Sequence, residues 1–148
     1  MDYILELDQV SKRFPKDGFV LDRVSFSLPY GAVMGLVGQN GAGKTTAIGC
    51  ILNTSSRDGG TIRLFGQEMG DQDTAIREKI GVVYDGDNFP GYLTAAQLSE
   101  IMGGLYQAWD PAMFQKYLQD FHLPAGQKIR TYSRGMTMKL ALFAALSH

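Results

Sequence analysis

Gly38-Gln39-Asn40-Gly41-Ala42-Gly43-Lys44-Thr45-Thr46 fits the pattern G-x-x-x-x-G-K-[ST] without a mismatch. Ahead of it, residues 32–37 (Ala-Val-Met-Gly-Leu-Val) form a short apolar run that reads as a buried strand. Behind it, residues 44–52 read as a helix opening. Strand, glycine-rich loop and helix in that order are the context in which such a loop grips phosphate. The glycines let the backbone turn its amide N–H groups inward, and the helix N-terminus adds the positive end of its dipole. Lys44 supplies a point charge for terminal phosphates, and the Thr45 hydroxyl is placed to ligate Mg²⁺. The stretch therefore predicts a nucleotide site built from Gly38, Gln39, Asn40, Gly41, Ala42, Gly43, Lys44, Thr45 and Thr46.

At 148 residues, 45% hydrophobic and 20% charged, the chain has the composition of an ordinary globular domain. A formal charge of −1 gives no general attraction to nucleic acid or to an anionic membrane surface, so a nucleic-acid partner is not expected. No apolar run approaches the roughly 18 residues that span a bilayer, and the N-terminus is acidic where a signal peptide is basic. A cytoplasmic protein is expected. The single cysteine, Cys50, falls inside the helix after the loop and reads as a small buried residue.

In chain order, residues 3–10 alternate apolar and polar side chains. Residues 20–28 do so again, with Val20, Val24, Phe26 and Leu28 on the apolar face. Between these strands Pro15 and Asp17-Gly18 mark a turn. Phe14, just before that turn, is a candidate to stack on a purine if the fold brings it near the phosphate loop. Asp58-Gly59-Gly60 reads as a turn and residues 61–65 as a strand. Residues 73–79 read as a helix capped by Asp71 or Asp73. Residues 80–84 (Ile-Gly-Val-Val-Tyr) suit a strand buried on both faces, delivering Asp85 to its C-terminal end, and Phe89-Pro90 reads as an exposed pair. Thr94 caps a helix reaching about Trp109, and Asp110-Pro111 starts another that stops at residues 123–126. Phe114, Tyr117, Leu118 and Phe121 recur at helical spacing and read as core, whereas His122 reads as solvated. Ser133 is a good cap for a last helix with Leu140, Phe143, Ala144 and Leu146 on its apolar face.

Phe14, GQNGAGKTT at 38–46, IGVVYD at 80–85 and YSRGM at 132–136, in this order, make the chain resemble the ATP-binding subunit of a bacterial, exporter-type ABC transporter over its whole length. The resemblance implies an α/β fold of the P-loop NTPase, ABC type, with N-terminal antiparallel β strands, a helical subdomain and an incomplete parallel sheet. Residues 1–85 would hold the β strands and P-loop core, 86–132 the helical subdomain and linker, and 133–148 the signature helix. It implies ATP and Mg²⁺ as ligands, with Phe14 against adenine. The family's signature is usually LSGGQ; Ser133 and Gly135 keep its pattern, and Arg134 stands where glycine is usual. In the family these places contact the γ-phosphate of ATP held by the opposite subunit of a head-to-tail dimer. Asp85 stands at the place of the family's Q-loop glutamine, near Mg²⁺, and residues 86–105 would touch a separate membrane permease, placing the protein on the inner face of the cell membrane.

By the same resemblance, members continue after a segment such as Ala145-Leu146-Ser147-His148 with an apolar strand ending in Asp-Glu, a dimer loop and a switch histidine. Residues 1–148 hold none of these. The expectation is an N-terminal fragment of an ATPase that binds ATP at best, has no catalytic residue of its own, and leaves the runs at 31–37 and 80–84 without strand partners. Two alternatives stay open. One is a soluble non-transport ABC ATPase acting on ribosomes or DNA; the other is a P-loop phosphotransferase, against which Phe14 and YSRGM speak.

Overall fold

The computed structural model describes residues 2–14, 18, 20–70 and 74–148. The chain forms two compact units, residues 1–77 and 78–148.

The first unit is built on β1 (Tyr3–Arg13), β2 (Val20–Pro29), β3 (Gly59–Leu64) and the two-residue β4 (Gln67–Glu68), an antiparallel sheet in the order β2-β1-β3-β4. The alternation expected of β1 breaks midway, since Leu7 and Val10 are both buried although three residues apart. A bulge accounts for this: the register with β2 shifts between Leu7 and Val10, and Gln9 takes a positive φ of 52°. Arg23 on β2 does likewise at φ 44°, and two serines satisfy the displaced amides. The Gln9 N–H donates to Ser25 Oγ and the Arg23 N–H to Ser11 Oγ, each at 2.9 Å. The shift also changes the buried face of β2, where Leu21 is buried and Val20, expected inside, is exposed.

Between β2 and β3 lies α1 (Lys44–Ile51), whose Ala47 and Cys50 are buried. Burial pushes the Cys50 thiol pKa up, in keeping with an inert core residue. A single turn, α2 (Thr74–Arg77), buries Ile76; the predicted caps Asp71 and Asp73, and Pro15 and Asp17 of the predicted turn, lie outside the described residues.

The second unit is helical. α3 (Ala95–Leu105) opens with a capping box, Thr94 Oγ1 accepting from the Gln97 N–H at 3.2 Å and Gln97 Oε1 from the Thr94 N–H at 3.0 Å. It ends at Leu105, four residues short of the expected Trp109. Gly103 and Gly104 weaken the last turn, and Tyr106 leaves the helical region at φ −113°, ψ 123°. The chain folds back so that Trp109 Nε1–H donates to Ser99 Oγ at 3.2 Å. α4 (Pro111–Asp120) starts on an Asp110 cap with proline at its first position, and α5 (Arg134–Leu146) starts on Ser133. Their core contains Leu98, Phe114, Leu118, Leu140 and Phe143, with Tyr117 stacked on Phe143 at 5.0 Å between ring centroids. Phe89, expected to be exposed, is half-buried against this cluster, while Pro90 is exposed. His122 is exposed, at φ 55° beyond the end of α4.

The two apolar runs expected to lack strand partners are indeed unpaired: residues 32–37 and 80–84 join no ladder among the described residues, and Val33 and Val37 are fully open to solvent. An apolar run becomes a strand only when a neighbour supplies the hydrogen bonds of a ladder, which composition alone cannot guarantee.

Candidate phosphate-binding site

The predicted loop closes as its glycines allow. Gly41 lies at φ 84° and Gly43 at φ 95°, left-handed conformations that side chains with a Cβ rarely adopt. Gly43 is the N-cap of α1, and among the described residues no side chain caps it, so the first amides of the helix keep their donors for an anion. Lys44 Nζ curls over the loop and donates to the Gly38 and Gln39 carbonyls at 2.6 and 2.7 Å. Gln39 O also accepts from the Ala42 N–H at 3.1 Å. Gly38, Gln39 and Ala42 thus act as the frame of the loop. Asn40, Gly41, Gly43, Lys44, Thr45 and Thr46 line a cavity of about 380 Å³.

Phe14 lines the same cavity. Its place follows from the end of β1. Asp58 donates its backbone N–H to Ser11 O at 2.8 Å and accepts the Arg13 N–H on Oδ2 at 2.7 Å. Its other oxygen, Oδ1, accepts from Lys12 Nζ at 3.3 Å, and that ammonium lies 5.6 Å from the centre of the Phe14 ring. The Arg13 N–H, followed by the Lys12 ammonium, holds the Asp58 carboxyl below its ordinary pKa. The sequence reads as a turn at 58–60 and gives no sign of this role, which depends on the pairing of β3 with β1.

For the metal, Thr45 presents a hard hydroxyl oxygen at the cavity beside Lys44, which suits Mg²⁺ completed by phosphate oxygens. No group of three or more His, Cys, Asp or Glu gathers as a metal cage among the described residues.

The remaining predicted residues belong to the second unit. Asp85 accepts from Arg134 at 3.0 Å, both side chains more than four-fifths exposed. Two departures from the expected family pattern are therefore partners of each other. Ser133 Oγ accepts the Met136 N–H at 3.3 Å, the capping role that its sequence position suggested. Gly135 is exposed in the first turn of α5, where an added Cβ would meet nothing within 4 Å. His148 packs on Tyr106, ring centroids 4.1 Å apart, with a ring nitrogen 3.1 Å from Ala144 O.

A loop of this form, a ring on its cavity and a bulged antiparallel sheet define a P-loop nucleotide-binding protein. Comparison with protein families matches residues 21–148 to the ABC transporter family, and the chain belongs to it. Among curated relatives it is 29% identical over 150 residues to the bacitracin transport ATP-binding protein BcrA of Enterococcus faecalis, covering all of this chain and 48% of that protein. It is 33% identical over 147 residues to the Nod factor export ATP-binding protein I of Paraburkholderia xenovorans (strain LB400), covering 96% of this chain and 48% of that protein. The chain spans about half the length of these relatives. Similar solved structures include cbiO1 from Clostridium perfringens, part of the ABC transporter complex cbiONQ, with a TM-score of 0.83 at 20% identity over 99% of this chain and 62% of that one. The ATP-binding cassette MJ0796, in a dimeric post-hydrolysis state bound to ADP and Pi, gives 0.78 at 22% identity over 97% and 69%. The fold is the ABC-type α/β fold, with an open antiparallel N-terminal sheet and helices, and no parallel pairing among the described residues. No helix among the described residues is long and apolar enough to cross a membrane.

Proposed function

We propose that this chain is the ATP-binding portion of an ABC exporter's ATPase subunit. The observation that carries the reading is the single cavity shared by Phe14 and six residues of the phosphate loop. A nucleotide there lays its phosphates on the backbone amides of residues 40–46 with Lys44 on the terminal phosphates, and its base on Phe14. Thr45 holds Mg²⁺, which when bound neutralises phosphate charge; Asp85 would have to give up Arg134 to serve as a metal ligand. In the whole protein, ATP binding and hydrolysis drive export through a separate membrane permease reached by residues near 86–105, at the inner face of the membrane. A second ATPase subunit packs head to tail and offers Ser133 and Gly135 to the ATP. The relative named for bacitracin transport supports a transport role, and the one named for Nod factor export supports its direction.

The test is calorimetric titration of the chain with Mg-ATP and a Lys44→Ala variant. Removing a charge-assisted contact costs about 1.5–3 kcal/mol, or about 10- to 150-fold in affinity. Equal affinity in the two proteins would refute the site.

A further inference from the structure

The end of β1 carries a feature that the phosphate loop does not require. β3 begins at Gly59, opposite Ser11, so the sheet offers no strand partner from that side to the last residues of β1. The side chain of Asp58 takes the strand's place. Its Oδ2 accepts the Arg13 N–H at 2.7 Å, while its own N–H continues the ladder to Ser11 O. Its Oδ1 meets Lys12 Nζ, which is also 3.3 Å from Ser56 Oγ. Lys12 and Arg13 are both fixed by this one carboxylate, and the next residue along the chain is Phe14, on the cavity wall. The Lys12 ammonium over the Phe14 ring gives the clamp a second hold on the aromatic itself.

We propose that Asp58 is a positioning residue for the nucleotide base: it touches neither base nor phosphate, and fixes the last turn of backbone from which Phe14 presents its ring. The inference rests on the reading of Phe14 as the base-stacking residue. A ring on an untethered strand end must be ordered at each binding event, whereas a ring on a clamped one is already placed, and the difference appears as affinity for the base alone. The phosphate end of the ligand, held by the loop and α1, does not depend on the clamp.

Two ligands separate these contributions: Mg-ATP, with a base, and inorganic tripolyphosphate with Mg²⁺, without one. Stacking worth about 1–3 kcal/mol corresponds to about 5- to 150-fold, so Phe14→Ala should weaken ATP by a factor in that range and leave tripolyphosphate unchanged. Asp58→Ala should weaken ATP at least threefold, by no more than Phe14→Ala does, and also leave tripolyphosphate unchanged. Asp58→Asn, which keeps an oxygen for the Arg13 N–H, should recover most of the loss. In the Phe14→Ala background Asp58→Ala should add nothing, because the ring it positions is gone. Equal weakening of both ligands by Asp58→Ala would make the residue a general support of the sheet and overturn the proposal. So would an unchanged ATP affinity, or a loss that persists without Phe14. If the unsubstituted chain prefers ATP to tripolyphosphate and Phe14→Ala abolishes the preference, the reading of Phe14 stands whatever Asp58 does; if it shows no preference, that reading falls and takes this one with it.

Discussion

Replacing Phe143 by alanine should come close to unfolding the helical unit. Phe143 is 3% exposed on α5, with its ring 5.0 Å from Tyr117 in a stacked arrangement and 4.9 Å from Phe121 in a tilted one. Phe→Ala in a close-packed core costs about 3–5 kcal/mol, and the loss of two ring partners places this site toward the upper end. At about 0.05–0.15 kcal/mol per residue, residues 78–148 hold about 4–11 kcal/mol in all. The substitution therefore removes between a third and the whole of the unit's stability. Trp109, the sequence's single tryptophan, lies in this unit with its ring 5.1 Å from Phe114, so its emission reports unfolding there in a urea titration. The control is Leu142→Ala, one residue away on the same helix but 48% exposed, which should cost less than about 1 kcal/mol. Midpoints that fall equally for the two variants would show that the face of α5 assigned to the core is wrong.

Gly60→Ala should disrupt the sheet of the first unit, because the residue sits at φ 80° and an added Cβ would lie 2.3 Å from the Gln9 carbonyl oxygen; the check is loss of β-sheet signal in circular dichroism, and native-like spectra and thermal midpoint would contradict it. Tyr132→Phe removes a hydroxyl that donates to Pro124 O at 2.6 Å from a buried ring, which should cost about 1–2 kcal/mol in the Trp109-detected transition. Burial raises the Tyr132 pKa above its ordinary value of 10.0. The folded unit thus holds that proton more tightly than the unfolded chain does. Its stability is intact below that pH, declines as pH climbs from the ordinary to the raised pKa, and should decline less in the phenylalanine variant.

What the sequence made legible was local. The phosphate loop, the Thr94 cap, the Asp110-Pro111 start and the Ser133 cap each depend on residues within a few positions of one another, and each formed as read, Thr94 gaining a capping box with Gln97 besides. One misreading has a different cause. The alternation in β1 and β2 failed at a bulge whose cross-strand hydrogen bonds join Gln9 to Ser25 and Ser11 to Arg23, far apart in sequence. The apolar runs at 32–37 and 80–84, by contrast, join no ladder among the described residues, as expected of runs left without strand partners: a ladder is a property of two segments. The early end of α3 did have a local signal, Gly103-Gly104, outweighed in the reading by the apolar periodicity around it. In the candidate site, the cavity on which Phe14 meets the loop, and the grip of Asp58 on residues 12 and 13, are tertiary facts that no spacing rule encodes.

The contact between Asp85 and Arg134 bears on any attempt to graft this chain's segments into a relative. The two residues are 49 positions apart, and each differs from what the resemblance leads one to expect at its place. Arg134 is the first residue of α5, at the end of the helix where the backbone dipole already repels a cation. Transplanting YSRGM alone would set a guanidinium there with no carboxylate to receive it, and transplanting IGVVYD alone would leave a carboxylate without its cation. The pair is a single contact written in two places of the chain, and a chimera that keeps both halves should keep the Asp85–Arg134 ion pair that a chimera carrying one of them loses.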